Sequence, residues 1–482
     1  MTELPNTERW RTLLAQVLDI SPTIRRALDG AKHLSMRQYV ERLASFSAQT
    51  PLSDPADVNR AAQAQLTPIL GEDIAAKAAA CFPMAALTAN HHGVDCFAQC
   101  VQGNLLYREM LKARGVRADV IPVVACSSVP MDNASYGKGL QLFDTLDKVH
   151  PLKFPILSNK ANSCIVGLYP AMDEASVRKA IAAFETDKYQ SRLSEPIRAA
   201  VRHVLGDHYL DPQVLGMQTY VQQATLLNYK MTQEAVGCGF AYLDLEKLSG
   251  DLLLRDLADK NSLACRMLYD KPLRDALLRI LDGATGCWKT QALKEGKLTG
   301  SGTAFFWAAE AKHTRTPLRI AERGLENLRS GEVIAWEELP QALAEGKIYP
   351  ALLLCFTTLL FERGIRCYGG YFQPEYLRVM QGGIMEALEE VGDHATAQVI
   401  AQRDPSGYIC GPIFLSGDHG EPMSIIEMLA CGNTAERIEA LMNTNFEDAH
   451  RMTLANVYTD IVPAAQRIEG YEDILARLMG RV

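Results

Sequence analysis

The sequence predicts an α/β protein: a Rossmann-like, mostly parallel sheet with an N-terminal helical segment and a largely helical insertion. Three observations carry this prediction. The runs MAALTA (84–89) and ADVIPVVACSSVP (118–130) are continuous apolar stretches, as expected of strands covered on both faces. Between them, VDCFAQCVQGNLLYREMLKARG (94–115) has helical spacing and stops at Gly115. Strand, helix and strand over roughly 45 residues make a βαβ unit, and that connection implies parallel pairing.

The elements follow in order. Residues 1–80 read as a helical segment, a lid or brace rather than the core. TERWRTLLAQVLDI, SMRQYVERLASFSAQ and DPADVNRAAQAQLTPIL all place apolar residues three and four apart. Ser53 or Asp54 would cap the third helix, with Pro55 in its first turn. Residues 81–189 form the first part of the core. Further strand candidates are 154–158, 164–170, 241–245, 303–307, 366–372 and 411–416. Helical patterns lie at 172–185, 191–236, 251–282, 316–328, 335–363 and 374–402. Residues 190–300 are the mostly helical insertion, and 301–482 hold the second part of the core and the C-terminal helices. No internal repeat or low-complexity linker interrupts the chain.

Composition narrows the function. The 482 residues carry a net charge of −8 with no run of basic residues, and aromatic residues are 7%. Nucleic acid and anionic membrane both need clustered Lys and Arg, so neither is expected as a partner. The N-terminus lacks the order of a signal peptide, and ALLLCFTTLLF (351–361) is too short to span a bilayer. The expectation is a cytoplasmic protein acting on a small molecule. Twelve cysteines occur with no CxxC pair, which suits a reducing compartment. Cys96 and Cys100 are four apart and read as core packing rather than a metal pair.

Ligands of an open α/β sheet bind at the carboxyl ends of its strands. Asn90-His91-His92-Gly93 follows the first strand, and the next helix is expected to start near Val94-Asp95, offering an anion its unpaired N–H groups. Cys126, Ser127, Ser128, Asp132, Asn133, Ser135 and Lys138 follow the second strand. One of His91 and His92 would serve as general base, since imidazole titrates near neutrality, with Asp95 beside it. The bland alternative is that Asp95 caps the helix and both histidines are satisfied structurally. Asn90, Gln102, Asn104, Ser127, Ser128, Asp132 and Asn133 are candidate substrate or nucleotide ligands. Gly369-Gly370 and Gln373, after a later strand candidate, would close the pocket.

Other motifs are absent or weak. There is no GxxxxGK[ST] loop, no GxGxxG after the first strand and no GxSxG elbow. Nothing beside Cys126 or Ser127 marks either as a nucleophile. Gly-Asp-His at 417–419 recurs at 206–208 and 392–394 within helical patterns, so the tripeptide is not read as a motif.

Thr88-Ala89-Asn90-His91, Gly103-Asn104-Leu105-Leu106-Tyr107, Tyr349-Pro350-Ala351-Leu352-Leu353, Tyr368-Gly369-Gly370 and Gln373-Pro374-Glu375-Tyr376 occur in this order. Over 84–170 and 345–420 this order resembles the bacillithiol synthase family, which adds cysteine to its acceptor. That family ends its first strand in Thr-Gly-Gln-Gln and starts a helix at Gly-Pro-x-Tyr; both glutamines are missing here. The resemblance implies a nucleotide-binding-like Rossmann core, a helical insertion that mediates homodimers, and a ligase- or transferase-type condensation of an amine or thiol with a small acceptor. A nucleotide is the cofactor it suggests. Two other readings stand beside it. One is a metal-dependent hydrolase or lyase holding a divalent ion with His91, His92, Asp95, Asp418 and His419. The other is a non-catalytic small-molecule sensor.

Overall fold

Val120–Ala125 pairs in parallel with Gly239–Asp244, and Ala85–Leu87 pairs in parallel with Arg366–Tyr368. A bridge between His91 and Cys126, also parallel, ties the two pairs at their carboxyl ends. His92 N donates to Cys126 O and Cys126 N to Asn90 O, each at 2.8 Å. In the computed structural model, residues 9–82, 85–146, 151–294, 297–417, 420–432 and 434–478 are described.

These strands are apolar except at Arg366 and Asp244, which lie at strand ends, because both of their faces are covered. Side chains alternate across a strand, so successive residues enter different cores. Ala86, Val120, Val124, Ala241, Leu243 and Cys367 join one buried cluster, with the helices Ala56–Leu70 and Leu245–Asp256. Ala85, Leu87, Ile121, Val123, Ala125, Phe240, Tyr242 and Tyr368 join the other, with Arg9–Ile20, Met36–Ala44, Ala98–Ala113 and Phe446–Ile461. Each fully buried Val, Ile or Leu contributes roughly 1.5–3 kcal/mol. A charge at Val124 would cost more than its neighbours could offset.

The N-terminal helices act as a brace. Tyr39 stacks on Phe446 with centroids 3.9 Å apart, and Ser35 bridges Asn445. No helix among the described residues is long and apolar enough to cross a membrane.

The architecture is mixed α/β, and it differs from the sequence reading in places. Pairing is not mostly parallel: the strand pairs outside the centre, from Gly139–Leu142 with Leu152–Pro155 to Ile348–Pro350 with Phe306–Glu310, are antiparallel. The expected helix at 316–328 is instead the strands Thr314–Pro317, Arg319–Ala321 and Gly324–Glu326. Pro317 removes a donor, and Glu322-Arg323 makes a two-residue turn between paired strands, so the three-residue spacing there is accidental. The expected strand at 164–170 is a short 3-10 turn, Val166–Leu168. The expected strand at 411–416 forms only the bridge Ser416 to Pro422. The pattern 191–236 is broken into Glu195–His203, a π-helical turn Val204–Tyr209, Pro212–Leu215 and Tyr220–Val236. Pro212 ends any longer helix there.

Candidate functional site

A cavity of about 430 Å³ opens at the carboxyl ends of the central strands. Its wall begins with Thr88, Ala89, Asn90 and His91 after the first strand, and Cys126 and Ser128 after the second. Gly370 and Gln373 also line it, and Gly369 does not. Gln373 Nε2 donates to Thr88 Oγ1 at 2.7 Å, tying the start of its helix to the first strand end. Gly369 cannot carry a side chain, because a Cβ there would lie 2.4 Å from Gln373 Cβ.

The segment His91-His92-Gly93-Val94-Asp95 turns sharply. Gly93 has φ +136°, and a Cβ would approach Gly137 Cα to 3.2 Å. Asn228 brackets the turn, accepting from Asp95 N at 2.9 Å and donating to Gly93 O at 2.8 Å. The following helix starts at Ala98 rather than Val94. Asp95 Oδ1 accepts from Phe97 N at 3.0 Å, a turn that leads into the helix.

His91 lines the cavity with a defined tautomer. Its Nδ1 lies 3.2 Å from Asn133 Oδ1. The Asn133 amide is oriented by both ends: Nδ2 donates to Pro130 O at 2.7 Å, and Oδ1 accepts from Ser135 N at 2.7 Å. Because Oδ1 can only accept, His91 carries its proton on Nδ1 and its lone pair on Nε2. Burial lowers the His91 pKa, with Asn133 and Glu246 acting against it, so the ring is neutral at physiological pH.

His92 goes the other way. It is fully buried and outside the cavity wall. Its Nδ1 accepts from Gly93 N at 2.9 Å, so Nε2 holds the proton, and that atom has no hydrogen-bond partner. The ring meets Tyr242 edge-on at 5.8 Å. Burial pushes its pKa down to about 3. Asp95 is buried beside it, bound by Asn90 Nδ2 at 2.9 Å and by the Tyr242 hydroxyl. Burial raises its carboxyl to about 6, against those hydrogen bonds. Asn104 Nδ2 donates to the same Tyr242 hydroxyl at 3.0 Å. His91, His92 and Asp95 therefore do not converge on one point, and Asp418 and His419 lie outside the described residues.

The remaining predicted residues have other partners. Gln102 donates to Leu415 O and Met423 O and accepts from Phe414 N and Leu415 N, clamping that C-terminal segment. Ser127 Oγ donates to Glu246 Oε2 at 3.0 Å. Asp132 is half exposed and 3.7 Å from Lys138. Cys96 and Cys100 are both buried thiols, and Cys100 borders the cavity.

Sequence reasoning missed three groups. Glu246 is buried and accepts from Cys126 Sγ at 3.1 Å and from the N–H groups of Ser127 and Ser128 at 2.8 and 3.2 Å. Burial and Glu246 raise the Cys126 thiol well above its ordinary value, so it is a hydrogen-bond donor and not a nucleophile. Applying the strand-end rule to GFAYLDLEKL, as to the first two strands, would have found Glu246. Arg315 lines the cavity with its guanidinium 3.8 Å from the Trp307 ring centroid. Ala309 pairs with Arg315 and Trp307 with Pro317, which makes Trp307 and Arg315 diagonal neighbours on one face. The first strand of that hairpin overlaps the strand expected at 303–307, and its second, Thr314–Pro317, runs into the segment where a helix was expected.

Gln99, in the first turn of the Ala98–Ala113 helix, is the third missed group. Its Nε2 is buried at the cavity with no partner, and Asn90 Oδ1 is in the same condition. An unpaired buried donor and an unpaired buried acceptor each cost about 1–3 kcal/mol until a ligand pairs them. Trp288, Trp307, Phe356 and Tyr376 supply apolar walls. Compared with known proteins, the chain matches no family model and no curated relative.

Proposed function

We propose that the chain is a cytosolic small-molecule enzyme that condenses an amine or thiol substrate with a small acceptor, His91 serving as general base. The observation that carries this reading is the His91–Asn133 pair at the cavity. A neutral imidazole held on one tautomer leaves Nε2 ready to take a proton from an ammonium or thiol as it attacks. His92 is the weaker candidate, because it is walled off from the cavity.

Three features support an anionic, amino-acid-like substrate. Arg315 offers a guanidinium stacked on an indole, a geometry suited to a carboxylate or phosphate. Two long helices begin at the cavity, Ala98–Ala113 and Gln373–Glu390, and their N-terminal N–H groups favour negative charge. Asn90 Oδ1 accepts where an amine would donate, while Gln99 Nε2 donates where a carboxylate would accept. The parallel strands between two helical layers support reading the centre as Rossmann-like, with a nucleotide as one acceptor it would take. The resemblance to bacillithiol synthase points to the same reaction class and to a homodimer.

Native mass spectrometry on protein purified without added ligand tests the reading. A retained amino acid, small acid or nucleotide, turned over by wild type and not by His91→Gln, is the expected result. Ligand that binds both proteins equally with no turnover in either would make this a sensor and overturn the proposal.

A further inference from the structure

The Gly-Asp-His at 206–208, set aside as a motif, sits in the π-helical turn Val204–Tyr209. That turn changes what its histidine can reach. Five residues along an α-helix would set two side chains about 140° apart around the axis. A π turn closes on the fifth residue instead, and such turns recur at functional sites. His203 and His208 accordingly lie on one side, with ring centroids 5.0 Å apart. Both face Glu234 on the neighbouring helix Tyr220–Val236.

The ligand atoms are close enough to share an ion. His203 Nε2 is 2.9 Å from Glu234 Oε1, and His208 Nε2 is 2.9 Å from Oε2. One atom from each of the three residues lies within 4.8 Å of the others. We infer that His203, His208 and Glu234 bind one divalent transition-metal ion of the zinc class. Two imidazoles and a carboxylate are a donor set that zinc takes, with ligand distances of about 2.0–2.2 Å and water in the remaining position.

An outer carboxylate prepares the site. Asp207 Oδ2 lies 2.7 Å from His203 Nδ1 and fixes that nitrogen as the donor, which turns Nε2 toward Glu234 as the metal-binding atom. Lys230, one turn before Glu234, is neutralised by Asp211. Without metal, Glu234 accepts a hydrogen bond from each imidazole. Metal entry replaces these: His203, which donates from both nitrogens without metal, gives its Nε2 proton to solvent, and neutral His208 carries its proton on Nδ1 instead, so that each Nε2 lone pair reaches the ion. The ion would staple the π turn to the helix whose Tyr220 and Asn228 hold Val94, Gly93 and Asp95.

The test uses the full chain, freed of any metal-binding tag, stripped with chelator and reloaded with zinc sulphate. Metal is counted by mass spectrometry, affinity is read by competition with a chromophoric chelator, and thermal midpoints are compared with and without zinc. Wild type should hold one zinc per chain and regain its thermal midpoint on reloading. The double variant His203→Ala/His208→Ala should lose that zinc, whatever the twelve cysteines bind. Asp207→Asn, at a largely exposed position that the fold does not need, should weaken affinity about 10–100-fold. Zinc content equal in wild type and the double variant would overturn the site, the cluster then being an ion-pair network only. If the double variant does not fold, unchanged affinity in Asp207→Asn would overturn it.

Discussion

His91 and His92 are joined by one peptide bond and live in different media. His91 borders a cavity and hydrogen-bonds through Nδ1 a side chain already fixed by two other contacts, which leaves its lone pair on Nε2. His92 is sealed in the core against Tyr242, with one nitrogen spent on its own turn and the other unpaired. Asp95 belongs to the second environment, although its position in the sequence suggested the first. The comparison teaches that a polar run at a strand end can face a cavity on one side and the core on the other. Buried polar groups on the core side are expected to act on stability, and on the proposed reading those on the cavity side act on rate.

The sharpest way to break that division is His91→Gln. In an assay built on the molecule that native mass spectrometry retains, kcat/KM should fall by about 10²–10⁴, the range of general-base catalysis. Urea unfolding should move by less than about 1 kcal/mol, because the ring is at a cavity wall. Equal losses of rate and stability would erase the distinction.

Asp95 tests the other side. Asp95→Ala leaves Phe97 N and the Tyr242 hydroxyl proton without an acceptor and takes one of the two acceptors of Asn90 Nδ2, and should destabilise by about 3 kcal/mol. Its titration gives a cleaner signature. The folded carboxyl is raised to about 6 from an ordinary 3.8, so the folded state holds the proton more tightly than the unfolded chain. Stability from this group is present at low pH and is lost as pH rises through the folded value. The loss amounts to about 2 kcal/mol between pH 4 and pH 7. Wild type minus Asp95→Asn, followed by urea midpoints across that range, should show this fall. A difference that stays flat would mean that Asp95 is ionised in the fold without cost.

His92→Ala comes next in size. It removes the acceptor for Gly93 N and opens a cavity beside Tyr242, together costing about 1–3 kcal/mol in urea unfolding. Turnover per folded molecule should stay within about twofold of wild type. A hundredfold loss of turnover would place His92 in the chemistry.

Part of this was legible in the sequence. Val120–Ala125 and Gly239–Asp244 showed themselves because strands buried on both faces are almost wholly apolar, and the strand-end rule then pointed to Asn90, His91, Ser128 and Gly370. Two things were hidden. Small antiparallel strands such as Arg319–Ala321 and Gly324–Glu326 have three residues each, too few for a period-two pattern to outweigh chance helical spacing. Which histidine faces the cavity depends on Asn133, Tyr242 and Asn228, which lie 42, 151 and 137 residues from His91 along the chain and meet the His91–Asp95 turn only on folding. Arg315 was hidden by the first cause alone: its four-residue strand Thr314–Pro317 was not read, although its partner Trp307 is only eight residues away.

Asn133 gives the smallest effect and the finest test of the cavity side. Its Oδ1 stabilises the Nδ1–H tautomer and supports the protonated ring, opposing the burial that lowers the His91 pKa. Asn133→Ala should therefore cost about tenfold in kcat/KM at neutral pH, because part of the His91 population turns its lone pair away from the cavity. The acid limb of the pH–rate profile should shift to lower pH, since the imidazolium has lost a partner while its burial remains. Asn133→Asp should move the same limb to higher pH, a carboxylate favouring the charged ring. A residue with only a structural role would lower rate at all pH values alike. An acid limb that stays put in both variants would separate Asn133 from His91 and leave the tautomer argument without support.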